Sequence, residues 1–141
     1  NMLTDPGAIC EFVFAGDARI TLVSLKTKAR FTYRVKAAKG DDGPAKSFVS
    51  VLTGTDNVSN FTYLGVYHRD GRYFHGGRST ISADAPSAMA WAWFDAKVLR
   101  AGTMPETLEV WHEGRCGRCG RPLTVPESIA IGLGPTCRGT T

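Results

Sequence analysis

The chain has little of what marks an exported, membrane-bound or plainly catalytic protein. Four cysteines in 141 residues are too few for a disulfide-dense scaffold, and no signal-peptide pattern points to an oxidising compartment. No apolar run approaches the ~20 residues that cross a bilayer as a helix, so a soluble protein is expected. There is no phosphate-cradling glycine loop, and no carboxylate pair or nucleophile in recognisable spacing accompanies His68 and His75. No His-x-Glu stands beside the Cys-x-x-Cys pair, which excludes the nucleobase deaminases. No enzyme is therefore expected. Internal repeats and low-complexity segments are also missing. Asn1 ahead of Met2 reads as a cleavage scar, with Met2 as the native start.

What is present is enough apolar residue for a core, 43% of the chain, and a mild positive balance, formal charge +4 with three histidines counted neutral. That size suits one compact domain with a small appended module. The boundary falls between a β-rich body, 1–111, and a carboxy-terminal module, 112–141. A pI near 9.0 permits nucleic-acid affinity without demanding it.

The module concentrates soft metal ligands. Cys116 and Cys119, followed by Gly120, form a tight knuckle, and the turn at Gly134-Pro135 can return Cys137 to it. His112, four positions before Cys116, is the nearest candidate for the fourth ligand of a tetrahedral structural Zn²⁺; His68, His75 and Cys10 would have to arrive from the body. Four protein ligands leave no position for an activated water, so such a site stabilises structure. Two rival readings of the pair are weaker. A disulfide lacks an oxidising compartment, and a redox pair lacks the βαβ context, since Gly120-Arg121-Pro122 starts a helix poorly.

The run Cys-Gly-Arg-Cys-Gly-Arg-Pro-Leu-Thr-Val-Pro-Glu-Ser-Ile-Ala-x-Gly-x-Gly-Pro-x-Cys, over about 115–138, resembles the zinc-ribbon-like module of the DUF6011 family, short uncharacterised domains of phage and bacterial proteins. Cys116, Cys119, Ser128, Gly132, Gly134, Pro135 and Cys137 carry the resemblance. The body, through Arg30-Phe-Thr-Tyr-Arg-Val and Phe48-Val-Ser-Val-Leu-Thr-Gly, also resembles hypothetical phage and prophage proteins that bear this module. The resemblance implies a small phage- or prophage-derived zinc protein in a bacterial cytoplasm, and it brings no established activity.

The body reads as strands. Phe31, Tyr33 and Val35 alternate with Arg30, Thr32, Arg34 and Lys36, the period of a strand with one wet face. Ile20 to Leu25 should pair with it through a turn at 26–29. Ser47 to Leu52, Phe61 to His68 and a short run to His75 extend the sheet, and Phe12 to Phe14 reads as an extra edge strand. After Gly77 the period changes. A helix capped by Ser82 or Asp84, with Pro86 in its first turn, should present Met89, Trp93, Ala96 and Leu99 as its stripe and end at Gly102. Leu108 to Trp111 is a last strand, and a short capped helix is expected from Thr124 to Gly132. The fold expected is α+β: an antiparallel sheet covered by one main helix, closed by a zinc module.

Two basic groups offer phosphate contacts. Arg115, Arg118, Arg121 and Arg138 surround the proposed metal site. Arg30, Arg34 and Lys36, with Lys26 and Lys28 in the adjoining turn, line a strand face. Solvated surface charge is the plain alternative for both. The aromatics Tyr33, Phe61, Tyr63, Tyr67 and Tyr73 fall on strands, where exposed ones could stack on unpaired bases, although most should be core. Trp91, Trp93 and Phe94 cannot all face one side of a helix, so one must lie outside or beneath the module. The expected function is nucleic-acid binding through these basic residues. The alternative is a protein-binding anti-defence factor, for example an anti-CRISPR-type inhibitor docking on a host complex. An exposed Trp91 or Trp93 would favour the protein partner, and a continuous basic stripe the nucleic acid.

Overall fold

The computed structural model describes residues 2–38, 46–53, 60–68 and 71–112. A short strand β1, Met2–Leu3, leads into helix α1, Pro6–Val13; then come β2, Asp17–Ser24, β3, Arg30–Ala38, β4, Lys46–Leu52, β5, Phe61–Tyr67, and β6, Tyr73–His75. Helix α2, Pro86–Phe94, continues as a π-helical segment, Asp95–Arg100, and β7, Leu108–His112, ends the described chain. All seven strands join one antiparallel sheet in the order β1-β7-β2-β3-β4-β5-β6. The α+β expectation therefore holds for the body. The zinc module and the helix from Thr124 lie outside the described residues.

The sheet follows the alternation of its residues. In the β2–β3 hairpin Ala18 faces Val35, Ile20 faces Tyr33 and Leu22 faces Phe31, and all six point to one side. Lys28 adopts φ 65° in the connecting turn, the left-handed conformation that lets a short loop return without glycine. Val49 and Val51 of β4 and Val110 of β7 continue the same face. A bulge shifts the β4–β5 register between Val49 and Ser50, which leaves Leu64 as the extra residue, fully buried.

Among the described residues two helices, not one, cover this face. Phe12 to Phe14 is no edge strand: Phe12 and Val13 belong to α1, which begins where the Asp5 carboxylate accepts a hydrogen bond from the Ala8 amide at 2.9 Å and Pro6 occupies the first turn. Ile9, Phe12 and Val13 then fall on one side, at i, i+3 and i+4, and are buried. β-branched and aromatic residues are frequent in strands, but here cap and helical spacing win.

The second helix exists where expected but is turned. Its buried row is Ala88, Trp91, Phe94, Asp95 and Val98, whereas Met89 is 59% and Trp93 40% exposed. Ala96 is exposed too, and only Leu99 of the expected stripe packs against the core. Ala85 occupies the N-cap with no side-chain bond, so Pro86 alone carries the start; Gly102, at φ 68°, closes the end.

The rotation has a specific cause. Trp91 Nε1 donates to the Tyr67 hydroxyl at 3.1 Å, the Tyr67 hydroxyl donates to Asp95 Oδ1 at 2.7 Å, and Arg100 Nε donates to Asp95 Oδ2 at 2.9 Å. The Trp91 ring lies 4.8 Å from that of Tyr33, whose hydroxyl donates to the Ser87 carbonyl at 2.6 Å. Burial, then the bond to Asp95, pushes the Tyr67 hydroxyl far above its ordinary pKa, so it stays a donor. Only the observed face can bury Trp91 and satisfy Asp95 together. The Trp91→Ala variant should lose about 3–5 kcal/mol of stability in urea denaturation, against about 1 kcal/mol or less for Trp93→Ala. Equal losses would place the buried face elsewhere.

Candidate functional site

Because both helices pack on one face, the other face of the sheet carries the opposite alternation set. Cross-strand registers arrange it in rows. One row runs Asp17, Lys36, Phe48, Val66, Phe74 and a second runs Arg19, Arg34, Ser50, Tyr63, each step being a paired position on the next strand from β2 outward. Arg30 begins β3 opposite Val23, and Trp111 of β7 lies between Met2 and Thr21. The result is two adjoining zones, cationic on β2 and β3, aromatic on β4 to β6.

In the cationic zone Arg34 gives Nε to Asp17 Oδ1 at 2.8 Å and Nη2 to Asp17 Oδ2 at 3.0 Å, a bidentate pair in which Nη1 takes no part. Arg19 stands directly across from Arg34, and its Nε is buried without a hydrogen-bond partner among the described residues. Like charges opposed across strands disfavour each other, and Asp17 offsets only part of this. Lys36 and Arg30 are exposed. Thr21 and Thr32 join by a 2.7 Å hydroxyl hydrogen bond beside these charges.

In the aromatic zone Phe48 and Phe74 are 38% and 49% exposed, and Phe61 and Tyr63 are half-buried. Phe48 and Tyr63 meet edge to face at 6.1 Å. A depression of about 350 Å³ lies where the zones adjoin, lined among others by Arg34, Lys36, Phe48, Ser50 and Phe61. Sequence reasoning named Arg34, Lys36, Phe61 and Tyr63 but missed Phe48, Phe74 and Trp111. The signal was available: Phe48 has the opposite parity to Val49 and Val51. Tyr33 and Tyr67 are core, and Tyr73 packs against it.

The covered side of the described residues also carries an opening. A groove of about 480 Å³ runs between α2 and the β2–β3 turn, with Leu22, Phe31, Met89 and Trp93 among its walls and Lys26 at its rim. Elsewhere, His75 Nε2 lies 2.8 Å from the Ile81 carbonyl, and His68 stands against the Phe74 ring at 4.9 Å. The two histidines thus have separate surroundings.

Of the candidate metal ligands, His112 is described. It is the last residue of β7, buried, opposite Ile20, with its ring 5.5 Å from that of Phe12. Cys116, Cys119 and Cys137 lie outside the described residues, as do Arg115, Arg118, Arg121 and Arg138. Cys10, half-buried on α1, is a free thiol whose pKa is raised, by burial first and the Glu11 charge second. No group of three or more potential ligands forms among the described residues. No helix among them is long and apolar enough to cross a membrane.

Residues 107–140 match DUF6011, a family of unknown function. The matched stretch begins ahead of the expected boundary at 112 and so takes in β7, which is paired on both edges within the sheet. No curated protein and no solved structure matches the chain.

The Arg34 hydrogen bonds hold the Asp17 carboxyl below its ordinary value of 3.8, against the opposing effect of burial. A carboxylate with a lowered folded pKa adds stability that is complete above about pH 5 and is lost as pH falls through that lowered value. Asp17→Asn should therefore cost up to about 1 kcal/mol at pH 7, discounted for partial exposure, and less at pH 3. Denaturation curves at the two pH values check this; a constant difference would show that the pair carries no acid-linked stability.

Proposed function

We propose that this is a small, non-enzymatic, phage- or prophage-derived protein of the bacterial cytoplasm that binds nucleic acid, with a structural Zn²⁺ in its carboxy-terminal module. The observation that carries the reading is the cationic zone of the open sheet face, where Arg19, Arg30, Arg34 and Lys36 share one side of two adjacent strands, with Asp17 bonded to Arg34 and Glu109 of β7 on the same face beyond Val23 as the acids among the described residues there. Such a surface attracts phosphates by charge and offers Arg34 as an oriented donor. The arginines 115, 118, 121 and 138 would add to it.

Binding of zinc-quantified protein to single- and double-stranded DNA and RNA, measured over a salt series, tests this. Affinity should fall steeply with salt, and replacing Lys36 and Arg30 by alanine should reduce the slope by roughly 0.7–0.9 for each phosphate contact removed. Negligible affinity at low salt would overturn the reading.

The zinc proposal rests on the donor set: thiolates of Cys116, Cys119 and Cys137, with His112, the last residue of β7, as the fourth ligand. Bound there, zinc would supply folding free energy to the module and no chemistry. Cys119→Ser should lose the metal in elemental analysis, where the parent protein holds about one zinc per chain. Retention of both metal and thermal stability by the variant would refute the ligand set.

A second reading, an anti-defence factor of the anti-CRISPR type that docks on a host protein complex, is favoured by one observation. The groove beside α2 exposes Met89 and Trp93, and aromatic anchors in apolar clefts dominate protein contacts. Recovery of one stoichiometric host protein, abolished by Trp93→Ala and accompanied by no nucleic-acid affinity, would make this the function.

A further inference from the structure

We infer that the open sheet face is a platform for single-stranded nucleic acid, with unpaired bases stacking on Phe48 and Phe61 while Lys36 and Arg34 hold the neighbouring phosphates. This rests on the nucleic-acid reading above and narrows its substrate class.

Width is the first argument. The major groove of a duplex is about 12 Å across and admits a helix or a two-stranded ribbon. Lys36, Phe48 and Phe61 lie on β3, β4 and β5, interior strands of a seven-stranded sheet. Seven strands about 4.8 Å apart form a face approaching ~30 Å wide, which cannot enter that groove. A duplex resting on the face could offer only phosphates to the cationic zone, because its bases remain stacked inside. On a duplex that is not kinked open, the rings can meet a base only when it is unpaired.

Adjacency is the second argument. Lys36 is the direct cross-strand neighbour of Phe48, and Arg34 of Ser50, so a cation and a ring lie about one strand spacing apart on the same row. The depression that they share with Phe61, about 350 Å³, is open to solvent through partly exposed side chains and holds two rings, two cations and the Ser50 hydroxyl. Asp17 engages Nε and Nη2 of Arg34 and thereby aims the remaining Nη1 without consuming it. This is the combination that sequence-tolerant single-strand binders use: π-faces for any base, and cations along the backbone. A duplex-specific surface needs the cations alone, and Phe48 and Phe61 on a wet face would then have no role.

The test is fluorescence anisotropy with labelled oligo-dT and oligo-U of about 15 nucleotides, beside a blunt duplex of equal length, at about 0.1 M salt. Both or either single strand should bind at least about tenfold tighter than the duplex. Phe48→Ala and Phe61→Ala should each weaken single-strand binding about five- to a hundredfold and leave duplex affinity unchanged. Because a truncation on a sheet can disturb the fold, two conservative variants accompany it. Phe48→Tyr keeps the ring and should bind like the parent, whereas Phe48→Leu keeps apolar area without a π-face and should bind weakly. Binding by Phe48→Leu at parental strength would overturn the platform. Equal affinity for duplex and single strands, steeply salt-dependent and indifferent to Phe48, would also overturn it while the broader nucleic-acid reading survived. Absence of binding to every probe would sink both.

Discussion

The arrangement of this protein depends on one buried chain of hydrogen bonds, from Trp91 through Tyr67 to Asp95 and out to Arg100. A carboxylate 3% exposed is costly unless it is paired and fully bonded, and here both oxygens have donors. The members work as a set: Tyr67 comes from the sheet, Trp91 and Asp95 from the helix, and removing one strands the others. Trp91, Phe94, Asp95 and Val98 stand at i, i+3, i+4 and i+7, one side of a helix, and the row runs on into the π-helical segment that begins at Asp95. The bonding requirement fixes the rotation of α2, and with it the outward position of Met89 and Trp93.

The same fixation makes the sheet one-sided. Helices α1 and α2 supply the described cover, and both lie on the Ile20, Tyr33 and Val49 side. The opposite face is organised by its own side chains: the Arg34–Asp17 ion pair and the Thr21–Thr32 hydroxyls on the basic strands, Phe48 against Tyr63 on the aromatic ones. Among the described residues, the cationic and aromatic face and the groove beside α2 therefore lie on opposite sides of one layer. Under the proposed function nucleic acid would take the open face by charge and exposed rings, and under the second reading an apolar protein anchor would take the groove beside α2. A substitution on either side should leave the other intact, since no residue lines both.

Much of the sheet was legible because period 2 is unambiguous where charged residues alternate with apolar ones, as in Arg30 to Lys36. The position of α2 was legible for the same kind of reason, with Pro86 at one end and Gly102 at the other. Its face was not. Met89, Trp93, Ala96 and Leu99 form as apolar a stripe as Ala88, Trp91, Phe94 and Val98, and Asp95 interrupts the true one with a charge whose partners, Tyr67 and Arg100, no local pattern announces. Helix α1 was hidden differently: Phe12-Val13-Phe14 has the composition of a strand, while the deciding signal, Asp5 before Pro6, stands at the other end of the element. The aromatic zone was only half seen because attention to tyrosines passed over Phe48, whose parity with Lys36 is a matter of register and not of composition.

The stretch matched by the family begins inside the body's sheet. The family match opens at 107, and its first residues form β7, held between β1 and β2. His112 ends that strand beneath Phe12 of α1, so its imidazole is positioned by sheet and helix before the chain reaches Cys116. Under the proposed ligand set, the metal would join a segment of local turns to a residue already fixed in the core. A ligand so fixed lowers the entropy cost of closing the site, and the free energy of zinc binding becomes shared with the pairing of β7. Loss of the metal would then be felt at the β2–β7 register as well as in the module, whereas a knuckle closed without His112 would leave that register untouched.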